Sequence, residues 1–493
     1  MKRTFDASRR RFLATASALS AVGPTVAPFA LNLASIGNAA AQSSCSASDY
    51  KALVCIYLSG GNDSFNMVIP TDDASYAAYQ AARDINPSPI LIARSGSGYD
   101  AIGLNPLVPL PGNRPIALHP EMTHAAALFD AGRLAIVPNV GPLTYPIASN
   151  AEYNTLASQR KLPVRLFSHN DQTSAWQAFG PEGTTRGWGG RLGDLFASCN
   201  GVRSTFTSIS ATGNVVFLAG DTTVQYQVTT SGAVTVPNTT GALYGAPNGG
   251  AAMARIAART RPDDHLLLRE QASITKRSID LGADLGSLML PFSSVPAAPT
   301  WRTVNPNDNT GAATNSLSEQ LRIVARIIGG AAKSTSGVKR QVFMVQLGGF
   351  DTHDGQPIGH ARLMGRLSQA LDYFNTLLAR PEIDAADAVT VFTASEFGRT
   401  FGSNGDGTDH GWGAHHLVMG AAVDGGKVHG VIPEMGLNAP RTLARGSMIP
   451  AIAVDQYAGH LARWFGASPT NLASLFPNLS RFSGSAAPSF FKP

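Results

Sequence analysis

Five short, almost uninterrupted apolar runs constrain this chain more than any other feature: ALVCIYLSG (Ala52 to Gly60), RLAIVPNVG (Arg133 to Gly141), QVFMVQLGGFD (Gln341 to Asp351), AVTVFTAS (Ala388 to Ser395) and LVMGAAV (Leu417 to Val423). Runs of this length without polar alternation suit strands covered on both faces, as in a parallel sheet flanked by helices. Between them stand segments with helical spacing. MTHAAALFDAGR leads through Gly132 into the second run, and ARLMGRLSQALDYFNTLLA places Leu363, Leu367, Leu371, Phe374 and Leu378 on one helical face. The expected class is therefore α/β, with a mostly parallel central sheet.

Residues 201–250 break the rhythm. VVFLAG, VQYQVTT and AVTVP are short β-type segments among Thr, Ser, Asn and Gly, and read as a β-rich insertion. Helix-forming sequence follows from Ala251 to about Leu290, as two helices, and then the Pro/Asn-rich VNPNDNTGAATN, which reads as a mobile loop. The variable insertion thus spans about 201–320 within one domain, 42–493. With 50 Gly and 31 Pro, the chain is rich in turns.

The N-terminus reads as an address. SRRRFLA is followed by an uncharged, moderately apolar run and by Ala39-Ala40-Ala41, the pattern of a twin-arginine export signal over residues 1–41. Pro24, Pro28 and many small polar residues argue against a stable membrane span, so the mature protein is expected in the periplasm or outside the cell after passing the twin-arginine machinery. Five basic side chains against Asp6 before residue 14 supply most of the net charge of +5, and the remainder gives no reason to expect nucleic acid as a partner. Of the three cysteines, Cys55 lies inside an apolar run and reads as a buried hydrophobe; no disulfide framework or cysteine zinc site is expected from Cys45, Cys55 and Cys199.

The residues just beyond the apolar runs carry the chemistry. The first run ends in GGND with Asp63, the third in GGFDTHDGQ with Asp351 and His353, and the fourth in SEFGRT with Glu396 and Arg399; GTDHGWGAHH then brings Asp409 and His410. Open α/β sheets bind ligands beyond the carboxyl ends of their strands, so these groups converge if the strands are neighbours. Mixed carboxylate and imidazole donors suit a divalent ion, Zn²⁺ or Mn²⁺ foremost. Each residue also has a plain role open to it: Asp63 as a turn or cap, Glu396 as a partner of Arg399, His415 and His416 as scaffold, His360 as a surface or supporting group. No GxxxxGK[ST] loop or GxGxxG fingerprint is present.

The blocks GGNDSFNMVIP, LHPEMTHAAALFDAGRLAIVPNVG, SHNDQTSAWQ, GGFDTHDGQ, SEFGRTFGSNGDGTDHGWG and DQYAGHLARWFG resemble the exported family of unknown function numbered 1501, from about Ala52 to Asn478. That family is grouped by resemblance with the alkaline phosphatase and sulfatase clan, which implies an alkaline phosphatase-like sheet and hydrolysis of phosphate or sulfate esters with two divalent ions. The resemblance places Asp63, Asp351, His353, Glu396 and His410 at metal positions, with Asp409 replacing a histidine of the clan pattern where Phe397 stands. It places the nucleophile at a helix start, among Ser168, Thr173 and Ser174. Ser168 is preferred because it follows the apolar Leu166-Phe167, although the same position suits a helix cap, and His169 and Asp171 stand beside it to assist or ligate. The expected function is an exported metal-dependent ester hydrolase; the alternative is a non-catalytic envelope protein that keeps the fold and binds a glycan or protein partner.

Overall fold

The computed structural model describes residues 47–482 and 489–493. The twin-arginine stretch, its cleavage site and Cys45 lie outside the described residues. A nine-stranded sheet forms the centre, in the order Ile452–Ala453, Leu134–Gly141, Ala414–Met419, Val389–Ala394, Lys51–Ser59, Arg340–Gly348, Ser208–Ser210, Tyr226–Thr229 and Gly232–Ala233. All neighbours run parallel except at Ala414–Met419 and the edge strand Gly232–Ala233. The first, third and fourth apolar runs are adjacent, with Lys51–Ser59 between the other two.

Side-chain alternation along Lys51–Ser59 explains why the run has no polar gaps. Val54, Ile56 and Leu58 enter a core shared with the helices Thr123–Asp130, Ser316–Ala331 and Gln356–Leu378, while Leu53, Cys55 and Tyr57 enter a second core closed by Trp188–Phe196 and Val454–Phe465. Successive residues of a strand point to opposite faces, so a strand covered twice must be apolar throughout. Leu363, Leu367, Leu371, Phe374 and Leu378 are all buried.

Three sequence expectations are corrected. VVFLAG is no strand: Val216–Leu218 forms a 3₁₀ turn, and the β segments at 208–210, 226–229 and 232–233 extend the edge of the central sheet. The loop at 303–310 is tied down, because the buried Glu121 carboxylate accepts hydrogen bonds from Thr303 Oγ1 and the Val304 and Asn305 amides, and Asp308 pairs with Arg362. Cys199 is disulfide-bonded, while Cys55 is free and buried.

The strand expected at Leu417 begins at Ala414 and carries both loop histidines into the interior. Being adjacent on a strand, they face opposite sides. His415 accepts the Asn139 amide at 3.0 Å and lies edge-on to Phe65; His416 sits beside Trp176 and Tyr457 and meets Thr393 Oγ1 at 3.2 Å. His360, on the helix Gln356–Leu378, is likewise buried against Asn62 and Phe350. Burial holds all three neutral, with pKa values pushed down to about 4 for His360, about 4 for His415 and about 3 for His416. Because these values lie below that of an unfolded histidine near 6.5, the unfolded chain binds more protons as pH falls, so the stabilisation is complete above about pH 6.5 and is lost progressively toward pH 4, by roughly 3 kcal/mol for each histidine. Thermal unfolding followed between pH 7 and pH 4.5 should show this acid loss, and His416→Gln should flatten its slope; identical slopes would contradict the assignment.

Candidate metal centre

The rim is built by backbone closeness as much as by side chains. After Ser59 the chain turns through Gly60 at φ +120°, so tightly that a Cβ there would sit 2.3 Å from the Asp351 nitrogen. The turn lets the Gly60 amide donate to Glu396 Oε1 at 2.8 Å and its carbonyl accept from Arg399 Nη1 at 3.3 Å, which locks three strand ends together. Gly60→Ala should therefore cost roughly 2 kcal/mol or more, through the strained backbone and the displaced Asp351 segment. The urea midpoint of the variant tests this; a shift below a few tenths of a kcal/mol would contradict it.

Asp351 is the hub. Its Oδ1 accepts from the fully buried Arg399 at 2.6 Å and lies 3.1 Å from His353 Nε2 and 3.2 Å from His410 Nε2, while Oδ2 faces His169 Nε2 at 3.3 Å. His169, Asp351 and His410 offer ligand atoms that all lie within 4.8 Å of one another, a group able to hold a metal ion. His353 Nε2 stands 2.9 Å from His410 Nε2 and completes the ring of donors.

The histidine tautomers follow from the outer partners. His410 Nδ1 meets the Phe167 carbonyl at 2.7 Å; a carbonyl only accepts, so Nδ1 carries the proton and Nε2 turns its lone pair toward Asp351. His169 Nδ1 meets Glu396 Oε1 at 2.9 Å and its Nε2 likewise faces Asp351. An imidazole whose far nitrogen is fixed by a carboxylate or carbonyl is the usual arrangement of a metal-ligating histidine. Ligands of a tetrahedral zinc at about 2.0–2.1 Å lie about 3.3–3.4 Å apart, close to the Asp351 separations here, and three protein ligands leave one position open. The donor set therefore fits a divalent ion.

Charge is spread unevenly over the group. Burial disfavours charge on Asp351, but Arg399, His169 and His353 outweigh it and hold its pKa below the usual carboxylate range. The hydrogen bond that His169 donates to Glu396 raises the pKa of His169, whereas burial lowers that of His410. Phe397 packs on both rings, at 4.8 Å from His169 and 4.6 Å from His410, and is itself buried against the Gly61 turn, so it forms an apolar floor beneath them.

The expected site residues separate into three groups. Asp351 and His410 meet at the hub with His353; His169, expected as a catalytic helper, joins them as a candidate ligand. Glu396 stands behind His169 with its Oε1 engaged, so it orients a candidate ligand and does not pair with Arg399. Asp409 lies further out, 3.4 Å from His353 Nδ1 and against Arg445. Asp63 stands apart: Arg83 takes both of its oxygens, Gln356 Nε2 and the Phe65 amide complete its shell, and the pair is fully buried. Burial opposes its ionisation, yet Arg83 holds its pKa low. With every lone pair spent on protein donors, Asp63 is a structural anion, contrary to its expected place as a ligand. Trp412 is buried behind the loop, donating to the Pro142 carbonyl. Ser168 opens the helix His169–Ala178 without capping it; its hydroxyl donates to Asp171 Oδ2 at 2.9 Å. Neither the Phe167 carbonyl nor the pairing of Arg399 with Asp351 has a mark in the sequence: a backbone acceptor carries no residue type, and the ion pair joins positions 48 residues apart.

Comparison with known proteins gives a partial family match and no activity. Residues 310–468 match the model of a protein family of unknown function, DUF1501, which supports the resemblance read from the motifs. The matched span holds Asp351, His353, Glu396, Asp409 and His410 but not His169. No curated protein matches the chain.

Proposed function

We propose that this chain is an exported, metal-dependent hydrolase of phosphate or sulfate esters with an alkaline phosphatase-like fold. The observation that carries the reading is the convergence of His169, Asp351 and His410 beyond adjacent strand ends, with both histidines presenting Nε2. A divalent ion held there, Zn²⁺ or Mn²⁺, would supply Lewis-acid polarisation of the ester. The chain's own groups do the rest. Arg399 keeps Asp351 ionised, Glu396 and the Phe167 carbonyl fix the imidazoles, and Phe397 excludes water from below. Ser168 is the nucleophile of this reading: its neighbours on both sides touch the centre, and its oxygen bonds to the phosphorus or sulfur as its proton passes to Asp171 along their hydrogen bond. The bond to the ester alcohol breaks as that oxygen takes the proton from Asp171, and water then releases phosphate or sulfate from Ser168. Export by the twin-arginine route is supported by the N-terminal motif and by the Cys199 disulfide, which suits an oxidising compartment. Among the described residues no helix is long and apolar enough to cross a membrane.

The second reading, a non-catalytic envelope protein that binds a glycan or protein, is favoured by Phe397 and by the sealing of Asp63, which leave one centre in place of two. Aryl phosphate and aryl sulfate offered to metal-loaded and chelated protein separate the two. The hydrolase reading predicts turnover that chelation removes and that Ser168→Ala lowers at least about 100-fold while the metal stays bound. Turnover that survives Ser168→Ala would assign attack to water; no turnover of any ester by metal-loaded protein would leave the binding protein.

A further inference from the structure

Two open clefts meet beside the centre. One, of 430 Å³, is lined by Tyr153, Asn154, Phe167, Asp409 and His410; the other, of 690 Å³, by Ile85, Ser403, Leu437 and Asn438. They share Asn150, Leu443, Ala444 and Arg445, so together they form one trough that runs away from the metal ligands. A pocket for a small ligand encloses most of it. This trough is open to solvent and suits a chain lying along it.

Its chemistry is selective. Among the described residues lining it, the only full charges are Arg445 and Asp409, both at the metal end. The remainder offers amides, hydroxyls and apolar surface. Asn150, Asn154 and Asn438 are exposed; Asn154 Nδ2 donates to Asn150 Oδ1 at 3.2 Å and Asn150 Nδ2 to the Thr442 carbonyl at 3.1 Å, which leaves the Asn154 oxygen and the Asn438 amide facing solvent. Amides both donate and accept, which matches sugar hydroxyls, and the Tyr153 ring, braced edge-on by Trp412, offers a face to a sugar ring. A nucleic acid would require cations along the whole trough.

Arg445 is the second observation. It has φ 58° and ψ 16°, left-handed backbone that a non-glycine residue adopts at a cost, and such strain clusters where a side chain must be held for a purpose. Its guanidinium rests against Asp409 yet is 64% exposed, free to pair with a second anion.

We propose that the trough takes an extended glycan bearing sulfate or phosphate esters, with Arg445 binding the charged group next to His410 and the amides and Tyr153 facing the neutral sugars. The proposal rests on the hydrolase reading for the fate of the ester, but binding can be measured without turnover. Titration calorimetry of the full chain, with metal content measured on the same samples, should compare dextran sparsely substituted with sulfate, dextran sparsely substituted with phosphate, unmodified dextran of the same length and inorganic sulfate. The expected result is that at least one charged dextran binds 10-fold or more tightly than unmodified dextran and than inorganic sulfate. Arg445→Gly, which relieves the backbone strain and so preserves folding, should lose that preference, while the distant Arg255→Gly should keep it. Which charged dextran binds assigns the ester. Equal binding of all dextrans, equal loss in both variants, or inorganic sulfate binding as tightly as the polymers would overturn the proposal. A metal-free protein that still prefers a charged dextran through Arg445 would sink the hydrolase reading and leave this one standing.

Discussion

Arg83→Met is expected to destabilise the protein by about 3–5 kcal/mol, the range for removing one partner of a buried ion pair. Asp63 and Arg83 are both fully buried, joined at 2.5 and 3.0 Å. Arg83 spends its other donors on Asn66 Oδ1 and on the carbonyls of Thr400 and Phe401, and lies over the rings of Phe65, Tyr79 and Phe401. It thereby ties the first strand end to the helix Asp73–Arg83 and to the base of the hairpin Arg399–Ser403 and Thr408–His410 that presents His410. Methionine fills the space but leaves a bare carboxylate in the interior. Adding Asp63→Asn should recover part of the loss, because the stranded charge is removed. Urea unfolding of the single and double variants tests the cycle; a single-variant loss below about 1 kcal/mol would contradict the structural role of Asp63.

Asp351→Asn is expected to have the larger effect on metal. The asparagine keeps the shape and an acceptor for Arg399 but removes the charge that balances an ion. Metal affinity should fall by more than the roughly 10- to 100-fold typical of losing an outer partner. Glu396→Gln should fall inside that range, since Glu396 touches His169 and the Gly60 amide, and not the ligand cluster itself. Competition against a chromogenic zinc chelator reads both. Equal affinities for Asp351→Asn and wild type would remove Asp351 from the centre.

The sheet was legible because doubly covered strands leave an unbroken apolar signature, and the acids and histidines directly after those runs marked the rim. Asp63 misled for a physical reason. An acid after a strand looks the same whether a metal or an arginine claims it, and Arg83 lies a helix away in sequence. His169 reached the centre from a different segment, and its partner Glu396 is distant in the chain, so its orientation by that carboxylate had no local sign. His415 and His416 sat in a glycine-rich motif that read as loop, yet they belong to an interior strand whose only outward mark is its alternation across two cores. Of the short β-type segments after residue 201, VQYQVTT and AVTVP contribute to strands while VVFLAG does not, and nothing in them specified the edge of the main sheet as their partner.

Metal content per chain, measured by inductively coupled plasma mass spectrometry on wild-type protein and on a folded His169→Ala/His410→Ala variant, tests the metal centre most directly. Near-stoichiometric Zn or Mn in the wild type, absent from the variant, is the expected result. Wild-type protein that carries no metal and takes up none when Zn or Mn is added, or a variant that retains the full complement, would contradict it.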